Sequence, residues 1–156
     1  MNRRRAMFAG SFDPPTLGHL DIIKRASTLF DKLFVVIAIN PDKHYMFKPS
    51  ERREMLSEMT SDLANVEVCT WDGYSVEFAS QHNVGVMVRG IRTGDDFDYE
   101  YSMANTNRNL LPEIETVLIP ADPRFFDISS SKIKQKLKEG EDISSLVPSF
   151  VLKRLT

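Results

Sequence analysis

Gly10-Ser11-Phe12-Asp13-Pro14-Pro15-Thr16-Leu17-Gly18-His19 collects, in one loop, the groups that a phosphate-binding site needs. Gly10 and Gly18 permit close backbone approaches that a Cβ would block, and amides at the start of a following helix point toward anionic oxygens. Ser11 adds a hydroxyl donor. His19 stands at the mouth of that helix, where an imidazole can hydrogen-bond a phosphate and follow charge as it develops in a transition state. Ile128-Ser129-Ser130-Ser131-Lys132-Ile133-Lys134 offers a second anion nest, made of successive hydroxyls and free amides at a helix start. Val88-Arg89-Gly90-Ile91-Arg92 ends an apolar run in two guanidinium groups, whose planar fork fits phosphate geometry. Lys43 closes another apolar run in Asn40-Pro41-Asp42-Lys43-His44. Singly, these residues have plainer uses as a turn, an N-cap, surface ion pairs and a solvated lysine. Their combination points to phosphate chemistry.

The elements that must position them alternate. Arg5 to Ala9, Leu33 to Ile39, Val66 to Trp71, Val84 to Val88 and Thr116 to Ile119 read as strands. His19 to Phe30 places Leu20, Ile23, Ala26, Leu29 and Phe30 on one helical face, and Ser50 to Met59 follows Pro49 as a second helix. Ser75 to His82, Asp96 to Leu110 and Ser129 to Lys138 read as further helices, with a last short one from near Pro148. Val- and Ile-rich strands alternating with helices predict an α/β fold, a doubly wound five-stranded parallel sheet joined by right-handed crossovers. Ligands of such sheets gather beyond the carboxyl ends of the strands, where all four segments above are expected.

Composition narrows the partners. A single domain spanning residues 1–156 is expected, with 42% hydrophobic and 27% charged residues. The 20 Lys and Arg against 22 Asp and Glu provide no global positive field for nucleic acid. Cys69, alone in its chain, reads as a half-buried strand thiol of a reducing compartment. Arg3, Arg4 and Arg5 resemble the start of a secretion signal, but the apolar stretch after them ends at Gly10, and no segment is long enough to span a membrane.

Gly-Ser-Phe-Asp-Pro followed by Thr16-Leu17-Gly18-His19 resembles the signature of the nucleotidyltransferase superfamily, (His/Thr)-x-Gly-His. Residues 128–134 are similar to its Ile-Ser-Ser-Thr-x-x-(Arg/Lys) motif, with Ser131 in place of the commoner Thr. Arg89-Gly90-Ile91-Arg92 followed by Asp96-Phe97-Asp98-Tyr99-Glu100, Met46-Phe47 after the lysine loop, and Asn107-Arg108 extend the likeness over nearly the whole chain, which resembles the phosphopantetheine adenylyltransferase family.

That resemblance implies a Rossmann-like nucleotidyltransferase fold and transfer of AMP from ATP to 4'-phosphopantetheine, giving dephospho-CoA and pyrophosphate by direct in-line attack. It implies Mg²⁺ carried with ATP, coenzyme A as a feedback inhibitor, and a cytoplasmic homohexamer. His19, Lys43 and Arg92 would be catalytic, and Ser11, Lys43, Ser75 and Arg89 would touch phosphopantetheine. Ser11, Phe12, His19, Gly90, Ile91, Arg92, Glu100, Phe125, Phe126, Asp127, Ile128, Ser129, Ser130 and Ser131 would touch ATP. Ser75 stands where the family usually has an aliphatic residue, and Phe125-Phe126 where a Trp is common, which leaves backbone contacts as the route there. Met103 and Asn107, at i and i+4, place an apolar group beside an amide that can donate and accept, suited to an acceptor arm, with Trp71 to Ser75 on the other side. The residues alone leave open another adenylyl or cytidylyl transferase, such as one acting on nicotinamide mononucleotide, or a non-catalytic nucleotide-binding module.

Overall fold

The computed structural model describes all 156 residues. Five strands, β1 (Asn2–Gly10), β2 (Lys32–Ile39), β3 (Val66–Asp72), β4 (Val84–Ile91) and β5 (Glu115–Pro120), form one sheet in the order β3-β2-β1-β4-β5, parallel throughout. Helices α1 (Leu17–Leu29), α2 (Pro49–Met59), α3 (Ser75–Gln81), α4 (Gly94–Leu110), α5 (Ser130–Lys138) and α6 (Ser149–Leu155) complete the chain. The chain winds outward from β1 through β2 to β3, returns across β1 to β4, and winds outward again. The strand order therefore reverses between β1 and β4, the switch point where a doubly wound sheet opens a crevice.

Strand alternation decides which helix covers which face. Ala6 and Phe8 of β1 pack with Ile22, Ile23 and Ala26 of α1 and Leu56 of α2. Met7 points the other way, to Phe34, Met87, Phe78 and Ala79. Leu29, expected on the buried face of α1, is 63% exposed, and Ile22 takes the inward position instead. A third apolar cluster of Phe47, Met55, Ile133, Ile143, Val147 and Val151 clamps α5 and α6 against α2.

Every expected strand and helix is present, with ends displaced by a few residues. The largest displacement matters: β4 does not stop at Val88 but runs to Ile91, so Arg89 pairs with Leu118 inside the sheet. Only Arg92 lies beyond the strand. A short 3₁₀ turn at Pro123–Phe125, absent from the sequence reading, links β5 to the Ser-rich segment.

Candidate active site

Strand β1 ends at Gly10, and the chain then folds back on itself. Phe12 adopts φ 50, a left-handed conformation that a bulky residue tolerates only when packing imposes it. Its ring is 1% exposed and stacks edge-on against Phe8 at 5.5 Å and His19 at 4.9 Å. Gly10 makes room for this, since a Cβ there would sit 3.3 Å from the Phe12 ring. The Phe12 side chain therefore props His19 from below, and what it can show a ligand is backbone.

Thr16 caps α1, and His19 answers it. The Thr16 hydroxyl accepts from the His19 amide at 3.2 Å, while the Thr16 amide donates to Nδ1 of His19 at 3.0 Å. This is the reciprocal capping arrangement with His at the place usually held by Glu or Gln. A backbone N–H can only donate, so Nδ1 carries no proton and the neutral ring keeps its hydrogen on Nε2. Loss of hydration in the packed loop, then the charges of Arg89 and Arg92, lower the His19 pKa to about 4. Of the α1 first-turn amides, Leu17 donates to the Leu146 carbonyl and His19 to Thr16, which leaves Gly18 for an anion.

Asp13 holds the loop to two distant segments. It is 1% exposed, and its carboxylate accepts from the amides of Met46 (2.7 Å) and Phe47 (2.8 Å) and from Nζ of Lys134 (2.7 Å). Ser130 adds a donated bond from its hydroxyl to the Pro14 carbonyl at 2.8 Å. Both sequence motifs are thus bolted together by side chains.

Arg89 is fixed on three sides. Its Nε and Nη2 donate to the two carboxylate oxygens of Glu100 at 2.9 and 3.0 Å, and Nη1 donates to the Ala9 carbonyl at 2.7 Å. Of its five N–H groups, two remain for a ligand. Glu100, 6% exposed, is committed to this pair. Arg92 donates to the Ile128 carbonyl at 3.2 Å and pairs with Asp96 at 3.4 Å.

Two clefts, of about 250 and 410 Å³, open at the switch point. The first is lined by His19, Gly18, Gly90, Arg92, Phe125, Ile128 and Ser129. The second is lined by Ser11, Lys43, Ser75, Met103 and Asn107. Ala9, Gly10, Arg89 and Glu100 belong to both and form the wall between them. Every residue expected at the acceptor thus reaches the second cavity. Among those expected at ATP, Ser11 opens on the second cavity rather than the first, and Ile91, Phe126, Asp127, Ser130 and Ser131 lie off the first cavity's wall.

Trp71 lies within β3 and does not reach the cavity. Its ring packs on Phe78 at 5.4 Å and its Nε1 donates to the Tyr74 carbonyl at 3.0 Å, which holds Gly73 to Val76 against the cavity. Asn107 Nδ2 lies 3.3 Å from Sδ of Met87, a weak acceptor that leaves most of the amide's capacity free. Desolvation first, then the carboxylate of Glu67, push the Cys69 thiol up to about 11, which rules it out as a nucleophile at neutral pH. No group of three or more His, Cys, Asp or Glu side chains could hold a metal, and no helix is long and apolar enough to cross a membrane. Sequence reasoning missed the roles of Asp13 and the buried Arg52, whose partners lie far along the chain, and of Asp96, whose bonds to Thr93 and Arg92 are local and are those of an ordinary helix cap.

The Cytidylyltransferase-like family model matches residues 7–136. A phosphopantetheine adenylyltransferase of Caldanaerobacter subterraneus subsp. tengcongensis is 44% identical over 152 residues, 97% of this chain and 95% of the relative. One from Streptococcus mutans serotype c is 48% identical over 158 residues, 99% of this chain and 94% of the relative. A crystal structure from Vibrio parahaemolyticus, provisionally named a nicotinate-nucleotide adenylyltransferase, superposes with a TM-score of 0.69 at 21% identity, covering 96% of this chain and 89% of the other, and shows the shared fold. With near-full-length identity of this order and both nucleotidyltransferase motifs converging on one crevice, the chain belongs to the phosphopantetheine adenylyltransferase family.

Proposed function

We propose that the protein transfers AMP from ATP to 4'-phosphopantetheine, giving dephospho-CoA and pyrophosphate, with ATP in the first cavity and the acceptor in the second. The observation that carries this assignment is the shared wall: Arg89 faces both cavities, so the two phosphates to be joined meet at one guanidinium. An oxygen of the acceptor's phosphate forms a bond to the α-phosphorus of ATP. The bond from that phosphorus to the oxygen bridging the β-phosphorus breaks, and pyrophosphate leaves with the electron pair. No protein nucleophile takes part. The chain positions and neutralises: Lys43, Arg89 and Arg92 offset the repulsion between two anions, and Nε2 of His19 donates to a phosphate oxygen as its charge grows.

Mg²⁺ carried with ATP would supply further charge neutralisation on the phosphate oxygens beside Lys43, Arg89 and Arg92. The protein acts in the cytoplasm as a homohexamer of single nucleotidyltransferase domains; the exposed Phe97, Tyr101 and Leu110 of α4 give apolar surface for such contacts. Coenzyme A, which contains the acceptor's own arm, competes for the second cavity as a feedback inhibitor. The test is pyrophosphate release. With ATP and Mg²⁺, 4'-phosphopantetheine supports turnover and nicotinamide mononucleotide hardly at all; preference for the mononucleotide would overturn the acceptor assignment while leaving adenylyl transfer standing.

A further inference from the structure

Arg52 is the largest fully buried side chain of the protein, at 0% exposure. It makes one hydrogen bond, from Nη1 to the Ser11 carbonyl at 2.8 Å, and its Nε and Nη2 have none. A buried cation with so little compensation is expensive, and an apolar side chain in its place would cost less. Its guanidinium carbon lies 4.1 Å from the centre of the Tyr45 ring, within the range of a cation–π contact strengthened by burial. The Tyr45 hydroxyl accepts from the Asn40 amide at 3.0 Å, and the Asn40 carbonyl accepts from the Lys43 amide at 3.1 Å. The Asn40 side chain also accepts from the Asp42 amide at 2.9 Å. The next two residues, Met46 and Phe47, are pinned through their amides to Asp13.

We infer that Arg52 and Tyr45 are a positioning pair that sets Ser11 and Lys43 relative to one another across the second cavity. One end of Arg52 grips the Ser11 backbone. Its guanidinium carbon lies over the Tyr45 ring, and that ring carries the turn that presents Lys43. Neither Arg52 nor Tyr45 lines the cavity, so both act through the two residues that do. A guanidinium suits this place better than an ammonium, since its planar, weakly hydrated group can meet a ring and donate to a carbonyl at the same time.

This inference rests on the acceptor occupying the second cavity, and the experiment separates the two. Steady-state kinetics against each substrate, with thermal midpoints, are measured for the unaltered protein, Lys43→Ala, Tyr45→Phe, Tyr45→Leu, Arg52→Lys and the double variant Lys43→Ala with Tyr45→Leu. Tyr45→Leu, which removes the ring, raises the acceptor KM about tenfold and leaves the ATP KM within about twofold. Tyr45→Phe keeps the ring over the guanidinium, loses only the bond to Asn40, and raises the acceptor KM about threefold. Arg52→Lys keeps the charge but not the planar group and behaves like Tyr45→Leu. If it fails to fold, the half-buried Tyr45 carries the test. On top of Lys43→Ala, Tyr45→Leu adds no more than about twofold, because the positioned group is gone. A Tyr45→Leu protein with a lowered thermal midpoint and an unchanged acceptor KM, or with both KM values raised alike, overturns the positioning role alone if Lys43→Ala raises the acceptor KM. An acceptor KM unchanged in Lys43→Ala overturns the cavity assignment and the inference with it.

Discussion

The amide of Thr16 donates to Nδ1 of His19 at 3.0 Å, and this one bond fixes which nitrogen of the neutral ring carries the proton. A fixed backbone donor leaves Nδ1 only the acceptor role, so the neutral His19 presents Nε2–H. A helix-capping device thus doubles as the control of a tautomer.

The first prediction follows from the His19 environment. In the ligand-free protein, the ring titrates near pH 4 rather than 6.5, and is neutral with its proton on Nε2 at neutral pH. As pH falls from 6.5 toward 4, the unfolded chain takes up a proton that the folded chain declines, so this site lowers stability across that window and adds no further loss below it. Nitrogen NMR titration of the ring checks the midpoint, and denaturant midpoints against pH check the linkage. His19→Ala should flatten that segment of the stability curve; an NMR midpoint above pH 6 contradicts the assignment.

The same His19→Ala variant should fold and bind ATP while its single-turnover rate falls about 10²-fold, because the Nε2–H bond strengthens with charge on the phosphate. An undiminished single-turnover rate removes His19 from the chemistry.

Lys43→Ala and Arg89→Ala should differ from one another. Lys43 reaches only the second cavity, so its loss should weaken the acceptor at least about tenfold more than ATP. Arg89 reaches both cavities and is the sole counter-charge of buried Glu100, so Arg89→Ala should weaken both ligands and lower stability by about 3 kcal/mol. Calorimetry with each ligand separately, and urea unfolding, measure these. Indistinguishable profiles for the two variants would break the assignment of one ligand to each cavity.

Asn107→Ala should raise the acceptor KM several-fold with little change in the ATP KM, since the amide lines the second cavity with only Met87 as a partner. Kinetics with the two substrates varied in turn give the answer, and an unchanged acceptor KM places the acceptor arm elsewhere.

Asp13→Asn tests the clasp between the motifs. An amide in this place loses the charge that faces Lys134 and turns an NH₂ toward one of the two backbone donors. Stability should fall by about 2–4 kcal/mol, read from urea midpoints. A loss below about 0.5 kcal/mol shows that the apolar cluster holds the segments together unaided.

Much of the molecule was legible locally. Alternation of apolar residues marks the strands, helical spacing marks α1, and Thr16 and Ser129 each cap the helix that follows them, whereas Thr93, the cap of α4, lies ahead of the expected start at Asp96. Strand ends are less legible. Arg89 looks like a residue beyond its strand because it is charged, yet a carboxylate supplied by α4 makes it tolerable inside one, and a partner eleven residues on leaves no local trace.

What the sequence determined by itself was the order of elements and the chemistry brought to the strand ends: hydroxyls, amides, an imidazole and cations suited to phosphate. These follow from short-range rules of periodicity, capping and backbone freedom. What only the tertiary structure decided was the division of those groups between two cavities and the commitment of Glu100, Asp13 and Arg52 to other residues. Asp13 meets Lys134 across 121 positions of chain and Arg52 meets Ser11 across 41. Such pairs form because burial in the fold makes an unpaired polar group costly, a penalty that exists only once the surrounding elements have packed.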